Sequence, residues 1–362
     1  MARPKTVYKG KRKFGKLITV LACTVVILII LAIWLFYHLQ KYIVYDKDGL
    51  SLQIPFLQGQ TMPAQDEPEP EAEAVTFLPE EAEIVISAPD LSNVSTTAGE
   101  NLSELRARYV NAADISGTSL VVSAAGASAL VLQLKAADGL LAYKSSVSLA
   151  DDYGVNAAAD IAQTVQELRE SGVYLVAELS CLIDNTMAER NSPIALKSAA
   201  QGAPVSDSRG SFIDPYSSTA RGYITDLIKE LSQMGFDEVL LTNVIHPERT
   251  DVVYSQNMSQ TLDKVSCISL FAKYVSDAAR EAGIHVSVLC SAANLRTNSS
   301  AEIGQDIEFF FAVFDRVYVD TNSDYYLADL STLEAFLGSA SDTRIVPMIA
   351  GYIPEDGSFV AK

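Results

Sequence analysis

Four aspartates stand at or just beyond the ends of predicted strands, where their carboxyl groups could do acid–base chemistry. They are Asp138, Asp184, Asp214 and Asp320. Two carboxyl groups facing one polar bond can act as proton donor and as base or nucleophile, which hydrolysis requires. Structural roles compete for three of them, since Asp138 precedes a glycine as in a turn, Asp184 could cap the next segment, and Asp214 precedes a proline at a helix entry. We treat all four as candidate catalytic residues.

Two opposite charges lie within neighbouring predicted strands. Lys135 ends the run 129–135 and Glu178 lies inside the run 173–182. Alternation along a strand places both side chains on the same face as other polar residues. Because an unpaired charge inside a sheet is costly, we predict a buried ion pair between Lys135 and Glu178.

The composition limits the kind of ligand. The 362 residues carry a formal net charge of −18, which disfavours nucleic acid as a partner. The four cysteines form no CxxC pair and there are only three histidines, so we expect no metal site. No glycine-rich phosphate loop follows the first predicted strand, and we expect no cofactor.

The elements that must position these residues alternate between strands and helices. The predicted strands cover 108–113, 129–135, 173–182, 238–244, 284–290, 315–320 and 344–349. The predicted helices cover 117–126, 157–171, 217–234, 261–282, 302–311 and 328–338. In the helix 217–234, serines cap the start and Gly235 ends it. This alternation predicts an α/β fold with a parallel sheet.

One face of most predicted strands is polar while the other is apolar. Examples on the polar face are Gln133, Glu178, Thr242, Ser287 and Arg316. A parallel sheet covered by helices on both sides would have more continuously apolar strands. Polar residues that point into a lumen instead are typical of a TIM-type (β/α) barrel. We therefore predict such a barrel over residues 105–362.

Three segments resemble a bacterial family of glycoside hydrolase-like proteins with a TIM-barrel domain. FIDPYSSTARGYITDLIKELSQMGFDEVLLTNVIHPE (212–248) is similar to the family's WVDPY, helix and GFDEIQFDYIRFP. VLQLKAADG (131–139) is similar to VIDVKDDDG, and GVYLVAELSCLID (172–184) to GIYVIARIVVFKD. The resemblance implies a barrel that acts on glycans and makes this chain a divergent member.

The departures from the family pattern fall where chemistry would occur. The family's aspartate in FDYIRFP is Thr242 here and its arginine is Ile245. The first two aspartates of VIDVKDD become Gln133 and Ala136, and the arginine of IARIV becomes Glu178. These changes leave two hypotheses open: a glycoside hydrolase, or an inactive barrel that binds glycan or serves as an envelope scaffold.

The resemblance also selects candidate substrate-binding residues near the strand ends. Tyr216 offers an aromatic face for a sugar ring, and His246 could be a base, although a lone histidine is more often a satisfied structural residue. The full set is Lys135, Glu178, Tyr216, Thr242, Asn243 and His246.

Closure of the barrel is a separate question. The family's tryptophan- and asparagine-rich final strand has no counterpart after residue 349. We therefore expect either a barrel without a regular eighth strand, because the gene is truncated, or a barrel closed by a strand from residues 84–88.

The N-terminal third differs from the rest of the chain in its charge and hydropathy. Residues 1–16 carry seven basic residues and no acidic one, and residues 17–37 are uncharged and apolar over a membrane-spanning length. We predict a cytoplasmic tail, one transmembrane helix and an extracellular remainder at the cell membrane. Residues 38–104 would form a juxtamembrane segment, with a short hairpin within 41–57, and an acidic Pro/Glu/Ala-rich linker.

Overall fold

The structure is a computed structural model. It describes residues 43–46, 49–52, 98–99, 102–190, 193–254, 263–291, 299–321, 341–350 and 354–362. The predicted tail 1–16, transmembrane segment 17–37, helix 328–338 and strand 84–88 lie outside these residues.

The main unit is a closed barrel of eight parallel strands, which confirms the predicted TIM-type architecture. Each strand pairs with its neighbours in chain order, and the last pairs with the first. The strands are β1 (Arg106–Val110), β2 (Ala129–Lys135), β3 (Tyr174–Ser180), β4 (Glu238–Thr242), β5 (His285–Ser291), β6 (Arg316–Asp320), β7 (Ile345–Ile349) and β8 (Phe359–Ala361).

The eighth strand is present, so the expectation of a barrel without one is wrong. In β8, Val360 pairs with Met348 of β7 and with Ala107 of β1. Just before it, the Ser358 hydroxyl accepts a hydrogen bond from the Leu105 backbone N–H (3.0 Å). Three residues are too few to show a strand periodicity, and only pairing on both sides stabilises them as a strand.

Helices follow most of the strands. They are α1 (Gly117–Ala124), α2 (Ser148–Asp152), α3 (Ala162–Glu170), α4 (Asn185–Arg190), α5 (Ser218–Met234), α6 (Lys264–Ala282), α7 (Ile307–Val313) and α8 (Ser341–Arg344). The prediction for α5 is confirmed: the Ser217 hydroxyl accepts from the Ala220 N–H (3.3 Å), and Gly235 ends the helix at φ +108°.

Side-chain alternation separates two apolar layers. Leu132, Ala177, Leu241 and other outward residues form the large core between strands and helices. A smaller set lies inside the barrel, including Val131, Val176, Leu240, Tyr318 and Val360. The interior is thus a packed core at mid-height, as in other small barrels.

A charged cluster fills the lumen at the N-terminal ends of the strands. Glu238 and Arg316, both almost fully buried, form an ion pair. Oε1 of Glu238 also accepts from the Ser287 hydroxyl (2.6 Å) and the Tyr318 hydroxyl (2.9 Å), and Oε2 accepts from the Tyr174 hydroxyl (3.0 Å). This network closes the lower end of the barrel, the face that in TIM barrels serves stability.

Residues 43–52 belong to a separate unit. Ile43–Asp46 and Gly49–Leu52 pair as antiparallel strands, as predicted for a hairpin in this segment. Of the helices in the described ranges, none is both long and apolar enough to cross a membrane.

Candidate active site

Polar side chains collect in the upper lumen, which we define as the barrel interior at the C-terminal ends of the strands. On each strand they alternate in phase with the apolar residues inside the barrel, so their side chains face the lumen. The residues are Tyr109, Gln133, Glu178, Ser180, Thr242 and Asp320. Active sites of TIM barrels lie at this face, since loops from every strand converge there. The upper lumen is therefore the candidate site.

Glu178 is the most deeply placed carboxyl group of the upper lumen, with 6% of its surface exposed. Its Oε1 accepts from the Gln133 amide (3.4 Å), and Tyr109 also hydrogen-bonds to it. Desolvation by burial raises the pKa of Glu178, and this effect is the largest. The hydrogen bonds from Tyr109 and Gln133 and the positive charge of Lys362 lower the pKa, whereas the negative charge of Asp320 raises it. Glu178 therefore tends to keep its proton.

Asp320 lies at the C-terminal end of β6 and is more than half exposed. Its Oδ1 forms an ion pair with the Lys362 ammonium (2.6 Å). Lys362 directly follows β8, and its backbone N–H donates to the Ile349 carbonyl (2.9 Å). Pairing between β8 and its neighbours therefore determines which cation meets Asp320.

The predicted ion pair between Lys135 and Glu178 is wrong. Lys135 instead pairs with Asp184 (2.7 Å), with both side chains fully buried, and also donates to the Ser180 carbonyl (2.9 Å). The cause is a register shift in β2: Gln133 pairs with Glu178, but Lys135 pairs with Leu179. This bulge takes Lys135 out of the alternation on which the prediction depended.

Three of the four predicted catalytic aspartates make local structural contacts. Oδ1 of Asp184 accepts from the Met187 N–H (2.8 Å) at the start of α4. Oδ1 of Asp138, an exposed residue, accepts from the Leu140 N–H (2.9 Å) in a turn. Asp214 is fully buried, and its Oδ1 accepts from the Tyr216 N–H (2.8 Å). Only Asp320 among the four lies in the upper lumen.

The turn after β2 lies against Asp184. A Cβ atom at Gly139 would fall 2.1 Å from Oδ1 of Asp184, and this glycine has φ +86°. Glycine is thus required here both by the close approach and by the backbone conformation.

Thr242 and Asn243 end β4 beside the upper lumen. Thr242 pairs with Ser180 across the sheet and is 6% exposed. Asn243 has φ +54°, and its side-chain amide donates to the Ser180 hydroxyl (2.9 Å). That hydroxyl donates to the Ile183 carbonyl (2.7 Å). The side chains of Asn243 and Ser180 therefore connect the end of β4 to the loop that follows β3.

His246 and Tyr216 lie in a buried cluster beyond the end of β4. The His246 ring bonds the Pro247 carbonyl (2.7 Å) and the Tyr254 hydroxyl (2.9 Å). Tyr216 and Tyr254 meet edge to face at 5.0 Å. Burial lowers the pKa of His246, so it is neutral at pH 7, and both of its nitrogens are engaged. These contacts give His246 a structural role.

A polar groove of about 380 Å³ lies between the loops that follow β3 and β4. Residues 205–209 and 247–249 line it. Each of its two arginines forms an ion pair within its own loop, Arg209 with Asp207 (2.5 Å) and Arg249 with Asp251. None of the predicted catalytic residues lines the groove. Within the described residues, no group of three or more His, Cys, Asp or Glu side chains is placed to hold a metal ion.

Sequence reasoning did not identify Tyr109 or Lys362 as parts of the site. Tyr109 lies on β1 at a position that strand alternation directs into the barrel, so this alternation could have identified it as a lumenal residue. Lys362 follows a strand too short to be recognised, and no local pattern indicates its contact with Asp320.

Comparisons with known proteins agree with this geometry. Residues 110–319 match a family model described as "Putative glycosyl hydrolase domain". The structure of the PgaB (BpsB) glycoside hydrolase domain from Bordetella bronchiseptica is similar, with a TM-score of 0.52 and 14% identity over 72% of this chain and 94% of that one. At this identity the likeness concerns the fold alone.

Two further solved structures are similar at lower scores. One is a hypothetical protein from Ruminiclostridium thermocellum ATCC 27405, with a TM-score of 0.43 and 20% identity over 50% of this chain and 96% of that one. The other is Aspergillus fumigatus Ega3 in complex with galactosamine, with a TM-score of 0.43 and 12% identity over 72% and 82%. A search of the curated proteins gives no match.

Proposed function

This chain belongs to the family described as putative glycosyl hydrolase domain, and we propose that it binds and hydrolyses a polysaccharide outside the cell. In this proposal residues 17–37 anchor it in the membrane, residues 38–104 form a stalk, and residues 105–362 act on envelope or environmental glycan. The reaction takes place in the upper lumen.

The observation that carries the proposal is the polar upper lumen of a closed barrel. Hydroxyl, amide and carboxyl groups from five strands face one another there, above an apolar layer and a sealed lower end. Such groups match the hydroxyls of a sugar, and a pair of carboxyls is what glycosidic hydrolysis uses. Two carboxyls, Glu178 and Asp320, lie in this region, whereas Thr242 stands where the resemblance places an aspartate on β4.

Binding without hydrolysis is the alternative function. It is favoured by Thr242, Ile245 and Ala136, which stand where the resemblance places two acids and an arginine. The structural contacts of Asp138 and Asp184 point the same way. Under this alternative the upper lumen holds glycan but lacks a competent carboxyl pair.

The membrane anchor is supported by the sequence alone. Seven basic residues precede 21 uncharged ones in the segment 17–37, a length that spans roughly 30 Å as a helix. Basic residues remain on the cytoplasmic side, so the barrel would be outside. Protease treatment of intact cells should then remove the barrel, whereas full protection would overturn this topology.

One experiment tests glycan action. The full-length chain, purified in detergent, is assayed on a panel of neutral, amino-sugar and acidic polysaccharides for binding and for release of reducing ends. Gln133→Leu, a change in the upper lumen, should weaken binding, whereas Val122→Ser, on the exposed side of α1, is the control. Hydrolysis supports the proposal, binding alone supports the alternative, and neither activity on any glycan contradicts both.

A further inference from the structure

The buried or lumenal carboxyl groups of the barrel differ in the charge of the side chains that contact them. Glu238 is paired with Arg316, Asp184 with Lys135, and Asp320 with Lys362. The hydrogen-bond partners of Glu178 are the neutral groups of Gln133 and Tyr109, and Lys362, whose charge also acts on Glu178, is paired with Asp320. Among the described residues, no lysine or arginine forms an ion pair with it.

We propose that Glu178 and Asp320 are the reacting pair of the barrel, with Glu178 as the proton donor and Asp320 as the base. The pair lies on β3 and β6 and replaces the β4 position, where Thr242 carries no carboxyl. This inference deepens the proposed function and rests on it. It turns Glu178 from an expected member of an ion pair into a catalytic residue.

The surroundings of Glu178 suit a proton donor. A carboxyl group with 6% exposure and no ion-pair partner is more stable protonated, because burial disfavours its charged form. Burial is also the largest cause of its raised pKa. General acids of glycosidases have raised pKa values for the same physical reason.

The surroundings of Asp320 suit the opposite role. It is exposed at the end of β6, where water can reach it, and its Oδ1 lies 2.6 Å from the Lys362 ammonium in an ion pair. The strands β3 and β6 lie three places apart in a ring of eight, so the two side chains approach the upper lumen from different sides. The charge of Asp320 still acts on Glu178, as does the opposite charge of its partner Lys362.

The reaction follows from these two states. Glu178 transfers its proton to the glycosidic oxygen, which keeps the electron pair of the breaking C–O bond and leaves as a hydroxyl. A water molecule forms the new C–O bond at the anomeric carbon and gives a proton to Asp320. Proton exchange with solvent then restores the protonated Glu178 and the ionised Asp320, so the net change is the addition of one water.

The first part of the test needs no substrate. Infrared difference spectra of the full-length chain at about pH 6, where exposed carboxyls are ionised, compare the wild type with Glu178→Gln. A protonated carboxyl band present only in the wild type is expected. Glu308→Gln, an exposed glutamate on α7, is the matched control and should leave the band in place. Absence of a Glu178-dependent band overturns its role as donor.

The second part uses the glycans of the panel. Glu178→Gln and Asp320→Asn should each lower the hydrolysis rate by about 100-fold or more, the usual contribution of acid–base groups. Asp226→Asn, on the exposed side of α5, is the matched control for Asp320. Glu178→Gln should also remove the alkaline limb of the pH profile, which a purely structural role would not do. Circular dichroism confirms that each variant is folded.

The outcomes separate this inference from the proposed function. Hydrolysis that survives both Glu178→Gln and Asp320→Asn overturns the pair while the glycosidase function stands. A wild type that binds glycan without hydrolysing it overturns the pair and supports the inactive barrel. A wild type with neither activity contradicts the proposed function itself.

Discussion

Removal of either partner of the buried ion pair between Lys135 and Asp184 should destabilise the barrel strongly. The two charges are 2.7 Å apart, and neither side chain is exposed. Removing one partner from such a pair leaves an uncompensated buried charge, which costs about 3–5 kcal/mol. We therefore expect Lys135→Met and Asp184→Asn each to lower the free energy of unfolding by about that amount.

Asparagine is the suitable replacement at position 184 because its side-chain oxygen can still accept from the Met187 N–H at the start of α4. The Asp184→Asn variant thus isolates the loss of charge from the loss of the helix cap. The double variant Lys135→Met/Asp184→Asn leaves no charge unpaired. Its cost should be smaller than the sum of the single costs by up to about 3 kcal/mol.

The assay is urea unfolding of the full-length chain and of the three variants. Circular dichroism at helix wavelengths is the appropriate signal, because residues 105–362 contain no tryptophan. In thermal unfolding each single change should lower Tm by roughly 6–20 °C, at about 2–4 °C per kcal/mol. Single costs under about 1 kcal/mol, or strictly additive ones, would refute the reasoning.

Three further predictions use the same unfolding measurements. Arg316→Met should cost about 3–5 kcal/mol because it removes the ion-pair partner of the buried Glu238 at the lower end of the lumen; an unchanged midpoint would contradict this. Gly139→Ala should cost at least about 1–3 kcal/mol, since its Cβ would meet Asp184 at 2.1 Å and the φ is +86°; a stabilised variant would show that the turn relaxes freely. The raised pKa of Glu178 means that the folded state binds its proton more tightly than the unfolded state. The corresponding stability is complete below the unfolded pKa near 4.3 and is lost as pH rises through the folded value. Glu178→Gln should abolish this loss, and identical pH profiles of the variant and the wild type would argue against it.

The outline of the fold was predictable because its signals are local. Seven of the eight strands show as apolar runs, and α5 carries its serine cap and terminal glycine within the sequence itself. The predicted helix at 302–311 begins later, at Ile307, because Asp306 caps it by accepting from the Phe309 N–H. Strand alternation also placed Glu178 and Thr242 on the inner face.

The site was less predictable because its contacts join residues far apart in the chain. A single shift in β2 redirected Lys135 from Glu178 to Asp184. Turn and cap contacts engaged Asp138 and Asp214, and the same sequence pattern would have suited a catalytic aspartate. A pattern of residue types does not distinguish these cases, since each depends on which groups lie within hydrogen-bonding distance.

The sequence by itself determined the parallel α/β architecture and the inward polar faces of the strands, including the threonine at position 242, because periodicity, capping and residue identity are properties of short segments. Only the tertiary structure decided how the barrel closes and which charges meet. The three residues of β8 form a strand because β1 and β7 both pair with them, and this places Lys362 beside Asp320. Glu178 is left with neutral partners by the same long-range packing, and burial then raises its pKa.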